Sequence, residues 1–389
     1  MGKKLKIAFL GVKGIPSKSG TERVVEAIIR RLADEHDITV YCDPDYTPRG
    51  TEVNGVKLIW VPTLKGKHMK ATSLDILGAL HAMLKGNYDV VHVNGVETCF
   101  VLPLLRLKYR VISTAHGSPR RHPRKKWGRV ARTLMGLTEY PFLFLSNYAT
   151  SVSKVDSEYF EKRYGKKAIF IPNGIDERIG CDIPAARSLL AELNYQPDQY
   201  IMFSAGRIDP SKGCHLVIDA YKQVKPGLPL MVVGDLEQVP AYGESLKQAA
   251  AGEPITFVPL IKNKELLLGL VKLCKYFVFP SLFEGMSVML LEAASLGVPI
   301  ICSDIPENQI VMKDSVLYFR CGDIQDLQEK MKWALAHPKE MQELGSKASA
   351  MLKEHLTWGK IAKVYDSLYE ACADGKDHKI NFSSIQSIL

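Results

Sequence analysis

The sequence lacks closely spaced cysteines and low-complexity tracts. Its eight cysteines are scattered, and even the nearest two, Cys302 and Cys321, are too far apart for the C-x2-C pairs of zinc sites and thioredoxin-like centres. Isolated cysteines usually serve as small core residues in proteins of a reducing compartment. We therefore expect a cytoplasmic protein without a metal site. With 46% apolar and 24% charged residues, the 389-residue chain has a globular composition and room for two or three domains.

The sequence also lacks an apolar run long enough to predict a membrane span. The longest candidate, around residues 140–152, is interrupted by Ser146 and Asn147 and falls short of the roughly 18 residues that a span requires. The apolar run from Ile7 to Val12 is too short for a secretory signal. It is better explained as a first buried β-strand.

Acidic residues are missing between Thr98 and Thr138, where ten Lys and Arg residues occur. The other 41 Lys and Arg residues nearly balance the 42 Asp and Glu residues, so the net charge of +9 comes from this one segment. We expect an anionic membrane surface to bind here, because residues 124–138 place apolar and basic side chains on separate faces of a helix. The alternative is a helix that packs on the sheet with its basic side in solvent. The ten cations are Arg106, Lys108, Arg110, Arg120, Arg121, Arg124, Lys125, Lys126, Arg129 and Arg132.

Short apolar runs alternate with amphipathic helical patterns along the chain, which predicts βαβ units and parallel sheets. The series restarts after residues 171–174, so we expect an α/β protein with two doubly wound, Rossmann-like domains that face a central cleft. The predicted domains are residues 1–172 and 173–357, and residues 373–389 form a tail. The twelve predicted strands are Lys6–Gly11, Ile38–Tyr41, Val56–Val61, Val90–Val93, Arg110–Thr114, Ala149–Ser153, Ala168–Ile171, Tyr200–Ala205, Leu230–Gly234, Ile255–Phe257, Tyr276–Pro280 and Pro299–Cys302.

One candidate site follows the predicted strand that ends at Pro280. The next helix begins near Ser287, and the unpaired N–H groups of a helix N-terminus suit an anionic phosphate. Glu284 would lie above the carboxyl end of the strand, where such sheets bind ligands. Glu292, about one turn into the helix, has a carboxylate able to accept paired hydrogen bonds from a ribose diol. A helix cap at Glu284 and a solvated Glu292 are the alternative.

A second candidate site follows the strand that ends near Ala205. Arg207 and Lys212 stand five residues apart on one loop, and two converging cations suit a diphosphate leaving group. The loop departs from a P-loop because Gly213 replaces the Ser or Thr, which argues against ATP hydrolysis. An exposed loop with ordinary surface charges is the alternative.

Two loops of the N-terminal half add further candidates. The glycine-rich segment 11–22 does not match G-x-G-x-x-G, so it does not predict a dinucleotide cofactor, although its backbone N–H groups could bind a ligand. His116 follows the predicted strand Arg110–Thr114, at the edge where ligands bind, and a structural role is the alternative.

These motifs resemble the retaining glycosyltransferases of family 4, which have the GT-B fold. The specific part is Gly206-Arg207 with Lys212-Gly213, followed by Glu284 and Glu292. Segments 14–22 and 114–129 resemble a bacterial surface-polysaccharide subgroup that includes rhamnosyl- and glucosyltransferases. The resemblance extends from about residue 5 to about residue 372. Ser287 departs from the family pattern, which affects the fit of the donor rather than the charged groups.

The resemblance implies a role for each motif. Arg207 and Lys212 would neutralise the departing diphosphate, and Glu292 would hold the ribose hydroxyls. Glu284 would contact the donor sugar, and a helix over residues 358–372 would pack back on the N-terminal domain. His116, from the opposing domain, would lie near the same sugar. The implied catalytic residues are His116, Arg207, Lys212 and Glu284. The implied donor-binding residues are Gly20, Gly206, Gly285, Met286, Ser287, Val288 and Glu292.

The function implied is that of a retaining, metal-independent hexosyltransferase of bacterial polysaccharide synthesis. Its donor would be a nucleotide-diphospho-sugar, expected to be a UDP-sugar, with no cofactor and no nucleic acid partner. Its acceptor would be a glycan or a lipid-linked glycan at the inner face of the membrane. A nucleotide-sugar 2-epimerase and a non-catalytic sugar-nucleotide-binding protein are the alternatives. Asp43-Pro44-Asp45 matches the metal-binding D-x-D of the other large glycosyltransferase fold, but a proline-containing turn explains it.

Overall fold

The structure is a computed structural model that describes residues 4–18, 20–121, 133 and 135–375. The chain forms two compact units. Unit 1 contains the residues up to Gly174 together with those from Trp358 onward, and unit 2 extends from Ile175 to Thr357. From residue 376 onward, the predicted tail lies outside the described residues.

Unit 1 is built on one parallel sheet of seven strands. Its strands are β1 (Lys6–Leu10), β2 (Asp37–Cys42), β3 (Val56–Trp60), β4 (Val90–Asn94), β5 (Arg110–Ala115), β6 (Tyr148–Ser151) and β7 (Ile169–Phe170). Its described helices are α1 (Gly20–Leu32), α2 (Lys67–Lys85), α3 (Leu102–Leu105), α4 (Glu139–Phe144), α5 (Lys154–Tyr164) and α14 (Trp358–Asp374), with a 3-10 turn over Glu97–Val101. The strand order is β3-β2-β1-β4-β5-β6-β7, so the chain reverses direction across the sheet between β1 and β4.

Unit 2 repeats the same architecture with six parallel strands. Its strands are β8 (Ile201–Arg207), β9 (Leu230–Asp235), β10 (Ile255–Val258), β11 (Tyr276–Phe279), β12 (Ile300–Ser303) and β13 (Leu317–Phe319). Its helices are α6 (Ile183–Glu192), α7 (Cys214–Val224), α8 (Pro240–Ala249), α9 (Lys264–Leu273), α10 (Val288–Ser295), α11 (Pro306–Met312), α12 (Ile324–Ala336) and α13 (Pro338–His355). The order β10-β9-β8-β11-β12-β13 places the reversal between β8 and β11.

The central strands are buried along their whole length. All residues of β4, β11 and β12 are buried, as expected for parallel strands covered on both faces. Most of their residues are apolar and either β-branched or aromatic, which suits this position. The polar side chains of His92 in β4 and Ser303 in β12 have hydrogen-bond partners in the core.

The helix α14 returns the chain to unit 1 and packs against α1 and β5. His92 of β4 contacts it through a buried hydrogen bond of 2.7 Å to the Tyr369 hydroxyl, and its other ring nitrogen lies 2.7 Å from the Thr114 hydroxyl. At the surface of the same helix, Asp366 contacts His36 at 2.7 Å. Polar contacts therefore fix α14 on a mostly apolar surface.

The prediction of two doubly wound parallel sheets is confirmed. Each of the twelve predicted strands corresponds to an observed strand, and β13 was not predicted. The apolar periodicity of residues 74–84 predicts a helix there. The observed helix α2 begins earlier, at Lys67, because its first turns lack that core-facing apolar pattern.

Candidate donor site and the family of the chain

The loops that follow β8 and β11 meet at the reversal point of the unit 2 sheet. In a doubly wound sheet, ligands bind at this point, beyond the carboxyl ends of the strands. Gly213 lets the loops approach each other, because its φ is +68° and a Cβ there would lie 2.2 Å from the Pro280 carbonyl oxygen. The Leu282 N–H also donates to the Ser211 carbonyl at 2.8 Å and joins the two loops.

The guanidinium of Arg207 is held by Asp209. Nε and Nη2 of Arg207 donate to Oδ2 of Asp209 at 2.8 and 2.7 Å. The other carboxylate oxygen accepts the Ser211 N–H at 2.9 Å and caps a 3-10 turn over Pro210–Lys212. Burial alone raises the pKa of Asp209, but the hydrogen bonds from Ser211 and the charge of Arg207 outweigh it and lower the pKa below its usual value. Asp209 is therefore an ionised carboxylate that fixes the cation in place.

Lys212 and Glu284 meet across the two loops. The Lys212 ammonium lies 2.7 Å from Oε1 of Glu284, whose side chain is nearly buried. The same oxygen accepts the Ser281 hydroxyl at 2.7 Å, and the Ser281 carbonyl in turn accepts the Ser303 hydroxyl at 2.6 Å. The structure thus brings together two predicted site residues from separate loops and anchors the carboxylate to the end of β12.

The helix α10 begins directly after this loop. Ser287 caps it, accepting the Leu290 N–H through its hydroxyl at 3.3 Å. Met286 and Val288 are buried, whereas Gly285 is partly exposed. The predicted phosphate-binding backbone of residues 285–288 therefore leads into the start of a helix, as expected, and it directly follows Glu284 in the sequence.

Glu292 is buried in α10 and has a partner that the sequence did not predict. Its Oε1 lies 2.8 Å from the ammonium of Lys264, which also lies 3.0 Å from Oδ2 of Asp176. Burial opposes the charge on Lys264, but the two carboxylates outweigh it and raise the pKa of Lys264. Lys264 is the first residue of α9, where the helix dipole disfavours a cation, so two acids offset an unfavourable position. A lysine at the first position of a helix is unusual, and this was the one signal in the sequence that could have pointed to an acidic partner for Lys264.

In unit 1, the glycine-rich loop follows β1 at the corresponding reversal point. Gly14 has a φ of +141°, and a Cβ there would lie 2.2 Å from Oγ1 of Thr47. The Ser17 N–H donates to Glu26 at 2.7 Å, which fixes the loop to α1. Gly20 begins α1, and a Cβ added there would have no described atom within 4 Å. The loop is tightly built at Gly14 and open at Gly20.

His116 follows β5 at the same edge of the sheet. Its Nε2 lies 3.2 Å from Oδ1 of Asn94, the last residue of β4, and the Asn94 amide nitrogen donates to the Leu10 carbonyl at 3.3 Å. Since Asn94 presents an acceptor, His116 donates from Nε2 and keeps Nδ1 as an acceptor. Burial lowers the pKa of His116 to about 4, so the imidazole is neutral at physiological pH.

The carboxylates of the D-x-D pattern are bound by a lysine. Lys70 lies 2.9 Å from Oδ2 of Asp43 and 2.6 Å from Oδ2 of Asp45. Asp43 also accepts the Thr63 hydroxyl at 3.3 Å. Within the described ranges, no three His, Cys, Asp or Glu side chains form a group suited to a metal ion.

Part of the basic segment is neutralised by acids that lie outside it. Arg120 lies 3.4 Å from Oε2 of the buried Glu139, and Arg121 pairs with the buried Asp156. These two cations therefore already have acidic partners, because the fold places acids from later in the sequence against them. Residues 122–132 and 134, which include most of the predicted amphipathic helix, lie outside the described residues. Among the helices that the structure describes, none is both long and apolar enough to span a bilayer.

Both halves of the chain match known glycosyltransferase families. Residues 18–178 match the family described as Glycosyltransferase Family 4, and residues 187–351 match the one described as Glycosyl transferases group 1. Together the two matches span most of the chain. The chain belongs to glycosyltransferase family 4.

Curated relatives of this family 4 glycosyltransferase match nearly its whole length. The O-antigen biosynthesis glycosyltransferase WclY of Escherichia coli is 24% identical over 370 residues, which cover 94% of this chain and 98% of the relative. A second Escherichia coli protein, the UDP-Gal:alpha-D-GlcNAc-diphosphoundecaprenol alpha-1,3-galactosyltransferase, is 26% identical and covers 80% of this chain and 82% of its own. The resemblance to bacterial polysaccharide glycosyltransferases is thereby confirmed.

Solved structures support the fold of this family 4 glycosyltransferase. Sucrose-phosphate synthase from Thermosynechococcus elongatus superimposes with a TM-score of 0.81 at 19% identity, covering 96% of this chain and all of the other. The Anabaena protein HepE, solved in complex with UDP and glucose, gives a TM-score of 0.78 at 16% identity, covering 94% and 100%. At these identities the likeness establishes the GT-B fold alone.

Proposed function

We propose that this glycosyltransferase is a retaining, metal-independent enzyme that takes a sugar from a UDP-sugar. The observation that carries the proposal is the meeting of Lys212 and Glu284, 2.7 Å apart, at the reversal point of the unit 2 sheet. Arg207 is the last residue of β8, the strand that leads into the loop of Lys212. HepE, a structural neighbour, was solved with UDP and glucose, and one curated relative is named for a UDP-Gal donor. Both support a uridine nucleotide as the donor here.

The proposed chemistry needs positive charge where the diphosphate departs. Breaking the bond between the sugar and the phosphate transfers an electron pair to the diphosphate, and preorganised cations stabilise the charge that develops there. Arg207, fixed by Asp209 at the end of β8, and Lys212, fixed by Glu284 in the loop that follows, supply two such cations. The N–H groups at the start of α10 add a positive dipole end. This charge is the reason that we propose no divalent ion and no cofactor.

Three further predicted residues have proposed roles. Glu292 would accept hydrogen bonds from the ribose hydroxyls, while Lys264 pairs with its Oε1. Glu284 would contact the transferred sugar. His116 would act as a neutral hydrogen-bonding group for that sugar, since its lowered pKa keeps it uncharged. The acceptor hydroxyl would attack from the face that the diphosphate leaves, and a departing phosphate oxygen would take its proton. No enzymic base is then required.

We propose a lipid-linked glycan of bacterial polysaccharide synthesis as the acceptor. One relative is named for O-antigen biosynthesis, and another for a diphosphoundecaprenol-linked acceptor. Such an acceptor is anionic and lies at a membrane, which agrees with the excess of Lys and Arg between residues 98 and 138. We therefore also propose a cytoplasmic enzyme that associates peripherally with the inner face of the membrane.

The experiment that tests the reaction is a transfer assay with UDP-sugars and a lipid-linked or soluble glycan acceptor, followed by NMR of the anomeric proton. We expect the product to keep the α-configuration of the donor, and we expect full activity in EDTA. Loss of activity in EDTA with rescue by Mn²⁺ would contradict the charge assignment. Formation of an epimerised donor without acceptor would instead support the 2-epimerase alternative, and binding of the donor without any turnover would support a non-catalytic protein.

The basic segment has a separate test. A variant with Arg124, Lys125 and Arg129 changed to Gln should bind anionic vesicles less than wild type at low salt, because each cation near an anionic surface adds about 1 kcal/mol. Arg121 is left unchanged because Asp156 needs it. Equal binding by the variant would exclude this segment as an electrostatic contact.

A further inference from the structure

Large apolar side chains are exposed in one part of the molecule. Of the twelve exposed large hydrophobic residues among those described, eleven lie between Leu64 and Phe144 in unit 1, and only Leu260 lies in unit 2. Single exposed apolar residues are ordinary, but a concentration of this kind marks an interaction surface. We define the apolar face by six of these residues, namely Ile76, Leu80, Leu84, Leu107, Tyr140 and Phe144.

The helix α2 contributes a continuous stripe to the apolar face. Ile76, Leu80 and Leu84 recur every four residues and therefore lie along one side of the helix, with Leu84 81% exposed. The opposite side of α2 is already used, since Ala79 and Ala82 are fully buried against the sheet. A helix that is apolar on its outer side as well as its inner side needs a second apolar partner.

The other members of the apolar face lie in the same layer of helices. The helices α2, α3 and α4 each lead into the next strand in the same direction across the sheet, and right-handed crossovers place all of them on one face. The Lys108 ammonium joins the ends of α3 and α2 by donating to the Met83 and Gly86 carbonyls at 2.9 and 2.8 Å. Arg106 joins the ends of α3 and α4 by donating to Asn147 at 2.5 Å.

Three cations lie at the edges of the apolar face, and the acids of α2 and α4 are buried. Lys85 and Lys108 are exposed at the ends of α2 and α3, and Lys166 lies 5.3 Å from the centre of the Phe144 ring. The only acid in α2, Asp75, is 9% exposed, and the only acid in α4, Glu139, is fully buried. An apolar centre with a cationic rim matches the boundary between acyl chains and anionic headgroups in a lipid leaflet.

We propose that the apolar face inserts into the surface of an anionic membrane, as a docking surface that does not depend on Arg124, Lys125 or Arg129. A second copy of the chain fits less well, because a two-fold contact through this face would set the same cations opposite one another without exposed acids from α2 or α4 to pair with them. The proposal rests on the proposed function only in the reason for docking, which is to reach a lipid-linked acceptor. The docking itself is measured without any acceptor.

The test is vesicle flotation of the full chain with a variant in which Leu80, Leu84 and Leu107 are changed to Gln. Vesicles contain either phosphatidylcholine alone or a mixture with phosphatidylglycerol, each at low and at high salt. The matched control is Leu260→Gln, an exposed leucine of the other unit. Wild type and control should bind the anionic vesicles, and part of that binding should persist at high salt because apolar insertion is not screened. The triple variant should bind at least about tenfold more weakly and lose the salt-resistant part.

Three outcomes would overturn the proposal. Equal binding by the triple variant would place the contact elsewhere, and absence of wild-type binding to both vesicle types would exclude a membrane surface. A concentration-dependent dimer in sedimentation velocity that the triple variant abolishes would identify a second copy as the occupant. UDP binding by the triple variant, measured by calorimetry, is the folding control. If UDP fails to bind wild type while flotation succeeds, the proposed donor fails and the docking surface stands.

Discussion

Arg207 is held by an ion pair with Asp209, so in the proposed reaction its charge would act through preorganisation. Asp209 holds the guanidinium through two nitrogen atoms, and Ser211 in turn holds Asp209. Such fixed charges act on the transition state without having to reorganise during the reaction. The sequence predicted Arg207 and Lys212 as a pair, but it gave no indication of these holding contacts.

The first prediction concerns this pair of cations. Arg207→Ala and Lys212→Ala should each lower kcat/KM by roughly 10²–10³-fold, the scale for losing one group that stabilises transition-state charge. Initial-rate kinetics with a saturating acceptor measure the effect. Lys332→Ala, at an exposed position on α12, is the control and should behave like wild type. Wild-type turnover in either site variant would contradict the assignment.

The second prediction separates the two glutamates. Glu292→Gln should weaken the binding of free UDP, because the ribose contact is lost while the sugar contacts remain. Glu284→Gln should instead weaken discrimination between donor sugars more than the affinity for UDP. Calorimetry with UDP and with two UDP-sugars distinguishes the roles, and equal losses in both variants would contradict the division.

Lys264 gives a third prediction that only the structure suggests. Lys264→Gln should weaken UDP binding about tenfold, because a charged hydrogen bond that orients Glu292 is lost. Inhibition by inorganic pyrophosphate should be unchanged, since it does not use the ribose carboxylate. Lys264→Arg should restore part of the UDP affinity. Parallel loss of UDP and pyrophosphate binding would indicate a general structural defect rather than positioning of Glu292. Lys264 and Glu292 lie on different helices, which is why sequence spacing could not connect them.

At the scale of elements, the strands were predictable and several contacts between elements were not. Buried parallel strands appear in the sequence as short apolar runs. Only β13, an edge strand whose first two residues are partly exposed, was not recognised. The ion pairs of the basic segment could not be predicted for a different reason. Counting charges along the chain could not reveal that Glu139 and Asp156, beyond the segment, would neutralise Arg120 and Arg121.

The contact of α14 with the sheet leads to a prediction for acid stability. Burial, and to a smaller extent the charge of His116, lower the pKa of His92 from 6.5 to about 3 in the folded protein. The unfolded chain therefore binds more protons than the folded one below about pH 6.5, and the stability contributed by neutral His92 is lost as pH falls towards 3. We expect the free energy of unfolding to fall by about 2 kcal/mol per such histidine between pH 7 and pH 5.

Urea unfolding at the two pH values measures this loss. His92→Gln should be less stable at neutral pH, because its contacts with Tyr369 and Thr114 change, but it should lose less stability on acidification. His355→Gln, outside the network, is the control. An unchanged difference between the two pH values in His92→Gln would contradict a neutral buried imidazole at this position.

At the scale of the whole molecule, strand order decides which loops can form a site. The sequence predicted parallel sheets but not their order, and the reversals fall between β1 and β4 in unit 1 and between β8 and β11 in unit 2. In each unit the predicted ligand-binding loops follow these strands or a neighbour of them. The candidate residues could therefore be identified from the sequence, because each follows a predicted strand. The residues that contact them could not be identified, because those contacts depend on the order of the strands in the sheet.

The central claim is that the loops after β8 and β11 bind a uridine diphosphate sugar, and a thermal-shift measurement tests it most directly. Ligand that binds only the folded protein raises its stability by RT ln(1 + [L]/Kd), so UDP and UDP-sugars should raise the unfolding temperature of wild type. A variant carrying both Arg207→Ala and Lys212→Ala should fold but show little or no rise at the same ligand concentrations. A rise of equal size in the double variant, or no rise in wild type with any UDP compound, would contradict the account.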